Sequence, residues 1–455
     1  MTSPATQRAM SGWGRNTWSS ASVTTARDIG QLRAALSAND RRPFLPRGLG
    51  RAYGDAALNG DGEILDMTSL AGVRSHDPET GLTDVWAGTS IDDLLRRFVP
   101  RGWFPPVTPG TRYVTVGGAI ASDVHGKNHH VAGSFSQHVT SFNLLTPDGE
   151  LRTVRPGEPA FRATAGGMGL TGVIVAATVQ LLPVRTSAML VRTERLGDLD
   201  ALMSRMQERD GAYRYSVAWL DTLASGRSLG RGVLTCGEHA ELEQLEGRWA
   251  ADPLRYRSRA VLATPPGIPG GLLRPATVGA FNELWFRRAA IDGEELESIG
   301  RFFYPLDGVR DWNRIYGPRG FLQYQYVVPD AADDVVTESV RRLSAARSPA
   351  FLAVLKRFGA GNDAPLSFPM PGWTLALDLP ESMPGLTPLL RGLDELVTQA
   401  GGRVYLSKDS RLTPETLQAM YPRLEEWRSL AADLDPQGRM ASDLSRRVGL
   451  RSRAT

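Results

Sequence analysis

The 455-residue chain is short of cysteine and of lysine. Its one cysteine, Cys236, excludes an internal disulfide and a cysteine-rich metal site. Lysine occurs only at positions 127, 356 and 408, and arginine supplies all the other basic side chains. Where arginine serves the surface roles, a retained lysine more often lies where a compact, titratable amine is needed. The three lysines are therefore candidate site residues.

The chain also has a small net charge and few long hydrophobic runs. Fifty-two basic residues against 49 acidic ones leave a net charge of +3, and no basic cluster indicates a nucleic-acid partner. The first fifteen residues contain no apolar run typical of a secretory signal. Residues 163–184 are uncharged, but four glycines and Gln180 favour a loop followed by a buried strand. We therefore expect no membrane-spanning segment.

The densest group of candidate site residues lies between positions 105 and 138. Its last fourteen residues hold Lys127 and four of the six histidines of the chain. A helix is predicted to begin near Thr115, with Gly117 and Gly118 in its first turn, where each glycine costs about 1 kcal/mol relative to alanine. First-turn N–H groups have no intrahelical partner, so they suit an anionic group such as a cofactor diphosphate, although this stretch taken alone fits an ordinary glycine-bearing loop better.

The first half of the chain has a βα pattern with short links. Helices are predicted over Asp28–Ala38 and from a capping pair, Thr89 and Asp92, through Phe98. Strands are predicted at 43–46, 63–67, 82–88 and 173–184, with a further pair around the turn at 147–149. Glycine-rich loops at 47–54, 110–118 and 166–172 are expected to converge on one elongated ligand.

From about residue 187 the pattern becomes that of an α+β domain with a mostly antiparallel sheet. Its predicted strands are 213–221, 230–237, 321–330, 350–359 and 372–380, and its clearest helices are 333–346 and 386–400. Residues 264–279 are rich in proline and glycine and are predicted to form a mobile surface loop, a candidate lid. A strand at 403–410 and a helix from Thr413 to about Leu434 are expected to follow.

The chain lacks the dinucleotide-binding and phosphate-loop motifs. Three of its segments, RGLGRAYGD, PGTRYVTVGGAIASDVHGKNHH and GGMGLTG, together strongly resemble the FAD-binding domain of the vanillyl-alcohol oxidase type. Four more, YGPRGFLQYQYVVP, APLSFPMPGW, YLSKDSR and MYPRLEEW, extend the resemblance over nearly the whole chain. More narrowly, the chain is similar to the decaprenylphosphoryl-β-D-ribose 2′-oxidases, flavoenzymes of arabinan precursor synthesis in mycobacteria and their relatives.

This resemblance implies an α+β, two-domain fold of the vanillyl-alcohol oxidase/PCMH type. An FAD-binding domain is expected at 1–186, a substrate domain on an antiparallel sheet at 187–402, and a C-terminal segment at 403–455 that returns to the FAD-binding domain. Relatives with covalently attached flavin carry histidine in the first glycine-rich loop, where this chain has Arg51. The FAD is therefore expected to be bound noncovalently.

Position by position, the resemblance implies an FAD site drawn from six parts of the sequence. Its residues are Pro46, Arg47, Gly48, Leu49, Gly50, Arg51, Ala52, Tyr53, Gly54, Asp55, Ala56, Gly110, Thr115, Val116, Gly117, Gly118, Ser122, Asp123, Val124, His125, Ile174 and Tyr405.

The resemblance also implies the reaction. Flavin N5 takes a hydride from C2′ of a ribose whose 1-phosphate bears a prenyl chain, and the 2′-hydroxyl loses its proton. His125 and Lys408 match the essential positions of the family. Histidine, with an ordinary pKa of about 6.5, suits the base that takes this proton. Lysine, with an ordinary pKa near 10.4, could serve only if its pKa is lowered. Which of the two takes the proton stays open. The residues matching the substrate pocket are Tyr53, Lys127, Trp219, Arg314, Gln325, Lys356, Thr374 and Ala376.

Two of these residues depart from the family pattern. Ala376 stands where the mycobacterial enzyme has an active-site cysteine, and Thr374 replaces an asparagine, which leaves the preferred lipid open. Turnover is expected to survive, because that cysteine is neither hydride donor nor base. Taken alone, Trp219 fits core packing equally well, and Gln325 has an even chance of pointing into the pocket.

The expected function is FAD-dependent oxidation of decaprenylphosphoryl-ribose to its 2′-keto form, the first half of epimerisation to decaprenylphosphoryl-arabinose for cell-wall arabinan. The expected partners are an NADH-dependent 2′-keto reductase and a membrane surface contacted peripherally, through the loop at 264–279 and the reductase. Which face of the membrane it contacts, cytoplasmic or periplasmic, stays open. One alternative is an aldonolactone or alditol oxidase on a soluble sugar. Another, a flavin-binding scaffold without activity, is disfavoured because His125 and Lys408 are both present.

Overall fold

The computed structural model describes residues 6–38, 42–257, 260 and 262–451. The outer ends of the predicted first and last domains, 1–5 and 452–455, lie outside the described residues. The strands are β1 (Thr6–Ser11), β2 (Trp18–Thr25), β3 (Phe44–Arg47), β4 (Glu63–Asp66), β5 (Val73–His76), β6 (Leu82–Trp86), β7 (Trp103–Phe104), β8 (Val139–Leu145), β9 (Leu151–Val154), β10 (Val173–Gln180), β11 (Leu182–Pro183), β12 (Ala188–Leu196), β13 (Tyr215–Leu220), β14 (Gly232–His239), β15 (Leu262–Ala263), β16 (Asp292–Ser298), β17 (Val309–Arg310), β18 (Phe321–Val328), β19 (Ala353–Phe358), β20 (Gly372–Pro380) and β21 (Arg403–Val404). The helices are α1 (Ile29–Ala38), α2 (Ile91–Phe98), α3 (Val116–Ala121), α4 (His129–Ala132), α5 (Pro159–Thr164), α6 (Leu199–Arg209), α7 (Gly247–Ala251), α8 (Pro275–Arg288), α9 (Ile299–Phe303), α10 (Asp334–Ala345), α11 (Leu386–Gln399), α12 (Pro414–Met420), α13 (Leu424–Leu434) and α14 (Asp443–Arg447).

The N-terminal half contains two larger sheets and a two-stranded one, β11-β7. One has the order β1-β2-β4-β3, with parallel pairing of β2, β4 and β3. The other, β5-β6-β10-β8-β9, is antiparallel. The apolar side chains of α3, among them Val116 and Ile120, share a core cluster with Ile174 and Ala177 of β10. This packing fixes α3 beside the second sheet.

The second half is built on one eight-stranded antiparallel sheet, as predicted. Its order is β16-β12-β14-β13-β19-β20-β18-β21. Every residue of β18 and β20 is buried, so both faces of these strands are covered. Tyr324, Tyr326 and Leu375 pack in one cluster with residues of α6, α10 and α11. Alternation along the strands turns Gln323 and Gln325 to the opposite face.

The C-terminal segment lies against the N-terminal half of the chain. Trp427 donates from Nε1 to the carbonyl of Ala163 at 2.9 Å. The amide of Phe44 donates to the carbonyl of Arg439 at 2.7 Å. These hydrogen bonds join residues beyond 403 to the predicted FAD-binding domain, although the domain limits themselves stay a prediction.

The predicted cap of α2 is wrong by one residue. The N-cap is Ser90 rather than Thr89, and its hydroxyl accepts from the amide of Asp93 at 3.0 Å. The carboxylate of Asp93 accepts from the amide of Ser90 at 3.0 Å, which completes the capping box. Thr89 donates its hydroxyl to the carbonyl of Gly72 instead.

Three further element predictions need correction. Residues 275–279, predicted as loop, form the start of α8, because Pro275 suits the first helical position. The single helix expected from Thr413 is two helices, α12 and α13, because Pro422 between them has no N–H for a helical hydrogen bond. The strand expected at 403–410 is limited to the two residues of β21.

Candidate active site

The three glycine-rich loops meet at one cavity of about 300 Å³, as the sequence predicts. Each loop contributes at least two glycines to its wall, at positions 48 and 50, at 110, 117 and 118, and at 169 and 172. Glycine is needed at 48, because a Cβ there would lie 2.2 Å from the hydroxyl oxygen of Thr115. The first loop therefore lies directly on the start of α3.

Most of the predicted FAD residues line this cavity. They are Pro46, Arg47, Gly48, Leu49, Gly50, Arg51, Ala52, Tyr53, Ala56, Gly110, Thr115, Gly117, Gly118, Ser122, Val124, His125, Ile174 and Tyr405.

Four predicted FAD residues lie outside the cavity wall and have structural contacts instead. A Cβ on Gly54 would lie 2.0 Å from the carbonyl oxygen of Asp409, so glycine there allows close packing of two segments. Asp55 accepts two hydrogen bonds from Arg447, at 2.7 and 2.8 Å. Val116 is fully buried in the apolar core. The fourth residue is Asp123.

Asp123 holds together the turn that precedes His125. Its backbone is left-handed, with φ of 40°, and its side chain is fully buried. The carboxylate accepts from the hydroxyls of Ser134 at 2.9 Å and Ser367 at 2.5 Å, and from the amide of Asn362 at 2.5 Å. Asp123 thereby joins this turn to the second half of the chain and positions His125 without touching the cavity.

The predicted anion site on the first turn of α3 is wrong. All three amides of that turn, at Val116, Gly117 and Gly118, already have partners at 2.8, 2.9 and 3.2 Å. The partners are the carbonyls of Thr89 and Ala87 and the hydroxyl of Thr115. A Cβ on Gly117 would lie 3.0 Å from that of Ala87, so this glycine serves close packing against the strand segment after β6.

The loop at residues 48–52 carries the free donors instead. None of the hydrogen bonds among the described residues engages the backbone N–H groups of this loop. The guanidinium of Arg51 lies 4.1 Å from the ring centre of Trp13 and donates to the carbonyl of Leu49 at 2.6 Å. Arg47 also lines the cavity. Unpaired N–H groups beside two guanidinium cations fit the diphosphate of FAD.

His125 is held by a chain of three hydrogen bonds. Thr374 donates its hydroxyl to the carbonyl of Tyr326 at 2.8 Å, so its oxygen accepts from Gln325 Nε2 at 2.9 Å. The same Gln325 nitrogen lies 3.0 Å from Nε2 of His125 and donates to it. The ring proton of neutral His125 therefore lies on Nδ1, which has no partner among the described residues.

The imidazole of His125 is kept neutral. Burial lowers its pKa well below the ordinary value, and the nearby amines of Lys356 and Lys408 lower that pKa further. The rings of Phe358 and Tyr405 lie 4.8 and 5.1 Å from it. Because its basic nitrogen already accepts from Gln325, His125 is poorly placed to take a proton from a substrate.

Two of the three lysines line the cavity. Burial lowers the pKa of Lys408 to about 8, and the carboxyl of Asp378 opposes this shift. Burial, with a smaller effect of the cations of Lys408 and Lys127, lowers the pKa of Lys356 to about 7. Both amines can therefore exchange a proton near neutral pH. His125 and Lys408 thus face the same cavity, as the predicted mechanism requires.

The predicted substrate residues divide between the cavity and its surroundings. Tyr53, Lys356 and Ala376 line it, whereas Gln325 and Thr374 lie behind His125.

Three predicted substrate residues do not reach the cavity wall. The Lys127 amine donates to the carbonyl of Phe302, and Arg314 donates to the carbonyl of Thr264 at 3.3 Å. Trp219 lies in β13, opposite Val233 and Val354. Contact of these three residues with a substrate stays a prediction.

Sequence reasoning missed a buried acid next to the cavity. Asp378 accepts a hydrogen bond from Gln323, which lines the cavity. Burial raises the pKa of Asp378 to about 7, and Gln323 and Lys408 oppose this shift. The alternation of LQYQYVV places Gln323 on the same face as Gln325, which is a signal that could have revealed it. Trp13, Trp312, Leu352 and Ser407 also line the cavity, without a sequence motif that marks them.

Comparison with known proteins agrees with this geometry. Residues 20–155 match the model of the FAD binding domain family, and residues 380–448 match that of D-arabinono-1,4-lactone oxidase. The chain is 42% identical over 454 residues to decaprenylphosphoryl-β-D-ribose oxidase of Mycolicibacterium smegmatis, covering 98% of each chain. It is 43% identical over 371 residues to an uncharacterised protein of Streptomyces coelicolor, covering 79% of this chain and all of that one. Alditol oxidase of a Streptomyces species is 24% identical over 405 residues, covering 87% of this chain and 88% of the relative.

The predicted cofactor and fold class are therefore confirmed. The protein is an FAD-dependent oxidoreductase with a two-domain α+β fold of the vanillyl-alcohol oxidase type, and the chain belongs to the decaprenylphosphoryl-β-D-ribose oxidase family.

Proposed function

We propose that this protein oxidises the 2′-hydroxyl of decaprenylphosphoryl-β-D-ribose to the 2′-keto form. The observation that carries the proposal is that His125 and Lys408, far apart in the sequence, line one cavity with a loop suited to a diphosphate. Full-length similarity to an oxidase of that substrate supports it. The product would be the intermediate in epimerisation to decaprenylphosphoryl-arabinose for cell-wall arabinan.

The FAD would be held noncovalently by the loop at 48–52, with Arg47 and Arg51 as counter-charges. When bound, FAD supplies a two-electron acceptor for the hydride that leaves C2′. Arg51 occupies the loop in which covalently flavinylated relatives carry histidine. Its guanidinium lies against Trp13, which supports noncovalent binding.

Lys408 would take the proton of the 2′-hydroxyl. A pKa of about 8 leaves part of its amine neutral near neutral pH. As the amine gains charge, the carboxyl of Asp378 stabilises the new cation, whereas Lys356 has only other amines as charged neighbours. Because the protonated amine is stabilised at Lys408 and not at Lys356, Lys408 is the better base.

His125 would remain neutral and orient the sugar. With Nε2 bonded to Gln325, its Nδ1–H is free to donate to a sugar oxygen. This hydrogen bond would hold the ribose so that its 2′-hydroxyl faces Lys408. His125 and Lys408 then have separate roles, one in orientation and one in proton transfer.

The 2′-keto product requires one reduction, of the new ketone, to give the epimer, so a separate NADH-dependent reductase would act next. A prenylated substrate also requires access from a membrane. Among the described residues no helix combines the length and apolar character needed to cross a bilayer. We therefore propose peripheral association, through the region that contains residues 264–279 and through the reductase.

A soluble sugar is the second candidate substrate, because the C-terminal segment matches the D-arabinono-1,4-lactone oxidase model. The deciding test adds each substrate anaerobically to the purified holoenzyme and follows the flavin absorbance. Bleaching by decaprenylphosphoryl-ribose, but not by alditols or aldonolactones, supports the proposal, and the reverse pattern refutes it. Denaturation should release FAD into the supernatant, whereas flavin that stays with the chain would contradict noncovalent binding.

A further inference from the structure

An apolar patch lies on the surface of the substrate domain. Ten large hydrophobic residues are exposed among the described residues, and six of them fall between positions 262 and 291. On α8, Phe281, Leu284 and Trp285 are 37%, 57% and 49% exposed. Their spacing places all three on one side of the helix. Single exposed apolar residues are ordinary, but a group of them on one surface marks a binding site.

The side of α8 next to this patch is firmly attached to the domain. Val278 and Asn282 are buried, and Asn282 donates to the carboxylate of Asp221 at 2.7 Å. Arg231 bridges the carboxylates of Asp221 and Glu283, at 2.8 and 2.6 Å. The helix is therefore held in a fixed orientation that leaves its apolar side open.

Apolar side chains connect this patch to the cavity. Trp312 and Leu352 line the cavity, and Phe351 packs on the same cluster as Trp312. The ring of Phe281 lies 4.9 Å from that of Phe351 and 6.1 Å from that of Trp285. Leu273 and Ile315 pack on the same cluster. Packed apolar side chains therefore lead from the cavity wall to Phe281 on the exposed side of α8.

We propose that this surface binds the isoprenoid chain of the substrate. The inference rests on the proposed function, because it assigns the chain of the lipid whose ribose enters the cavity. A prenyl chain offers no hydrogen bonds, so its affinity comes from apolar area removed from water. The surface leading out of the cavity supplies that area, and α8 receives the part of the chain beyond it.

The test compares chain lengths with a surface variant. Leu284→Ser combined with Trp285→Ser changes only partly exposed side chains, and Leu242→Ser, at an exposed leucine in another turn, is the matched control. Substrates with ten and with two isoprene units are both supplied in detergent micelles. We expect the double variant to raise KM for the ten-unit substrate about tenfold, with kcat and the KM of the two-unit substrate unchanged.

A second measurement does not depend on turnover. A polyprenyl phosphate with a benzophenone at its far end is irradiated with the full-length holoenzyme, and cross-linked peptides are mapped by mass spectrometry. Adducts within residues 272–291 support the inference, and adducts confined to other segments overturn it.

The remaining outcomes separate the two proposals. An equal change in KM for both chain lengths, or none for either, overturns the inference while the proposed function stands. The double variant could also lose binding to phosphatidylglycerol vesicles while its KM values in micelles stay unchanged. That result would identify the patch as a bilayer contact and would overturn the inference. If neither phosphoribosyl lipid bleaches the flavin of the wild-type holoenzyme, the proposed function itself fails.

Discussion

Gln325 donates a hydrogen bond to His125 across 3.0 Å, although the two residues are 200 positions apart in the sequence. The bond leaves Nε2 of the imidazole as an acceptor and places the ring proton on Nδ1. Thr374 fixes the direction of the Gln325 amide, because its own hydroxyl proton is already donated to Tyr326. The tautomer of a central histidine thus depends on a threonine that stands where the family pattern has asparagine.

Removal of the Thr374 hydroxyl should slow turnover. Thr374→Val leaves the Gln325 amide free to turn its oxygen toward His125, which favours the tautomer protonated on Nε2. We expect kcat to fall about tenfold, the equivalent of one lost hydrogen bond. Nitrogen-15 NMR of labelled histidine should report the change of tautomer. Thr374→Ser, which keeps the hydroxyl, should behave like the wild type, and an unchanged tautomer in the valine variant would contradict this role.

The rate of substrate oxidation should rise with pH through a pKa near 8. Lys408 must be neutral to accept a proton, and its pKa is lowered to about 8 by burial. Stopped-flow measurement of flavin bleaching against pH checks this. Lys408→Met should abolish the dependence on this group, whereas Lys356→Met should preserve it. The opposite result would assign the base to Lys356.

Removal of the acid beside Lys408 should move this pH dependence. The carboxyl of Asp378 raises the pKa of Lys408, so Asp378→Asn should lower that pKa and shift the rise in rate to lower pH. The partly exposed carboxyl of Glu338 on α10, which pairs with Arg341, provides the control, Glu338→Gln, which should leave the profile in place. A profile that does not move in Asp378→Asn would show that this acid does not act on the base.

Electrophilic inhibitors that bond an active-site cysteine should not modify this protein. Ala376 lines the cavity at the position of that cysteine, and Cys236 is buried with its pKa raised to about 12 by desolvation. A thiol with so high a pKa is largely protonated and unreactive. Intact-protein mass spectrometry should show no adduct for the wild type and one adduct for Ala376→Cys. An adduct on the wild-type chain would refute the prediction.

The limits of sequence reasoning can be located in particular residues. The strands β18 and β20 are predictable because their apolar pattern is strong, whereas β16, with the sequence DGEELES, has no apolar alternation to reveal it. The glycines at 117 and 118 correctly indicate a close approach but not its partner. For Gly117 that partner is Ala87, which belongs to another element, and for Gly118 it is the Thr115 hydroxyl, so only the folded chain shows that these amides are already bonded.

In the site, too, some residues are marked by a sequence motif, whereas others depend on neighbours from distant segments of the chain. His125 and Lys408 carry a motif signal, and both reach the cavity. Asp378 has no such signal, because its role depends on burial and on a neighbour from a different segment. The reverse holds for Asp123, which lies within a strong motif yet does not line the cavity. A motif identifies the region of a site and does not separate the residues that bind from those that support them.

Asp123 should therefore matter for stability. Asp123→Ala leaves four side-chain donors, on Ser134, Ser136, Asn362 and Ser367, without their shared acceptor. Buried donors without an acceptor carry a desolvation penalty, so we expect a loss of about 3 kcal/mol in the free energy of unfolding, measured by urea denaturation.

The matched control for this variant is Asp61→Ala. Asp61 also has a left-handed backbone, with φ of 58°, but its side chain is exposed, so this variant carries the same backbone cost without the buried network. The difference between the two variants isolates the contribution of the carboxylate. Equal destabilisation would mean that the backbone conformation alone accounts for the effect, and the hydrogen bonds around Asp123 would then not be what positions His125.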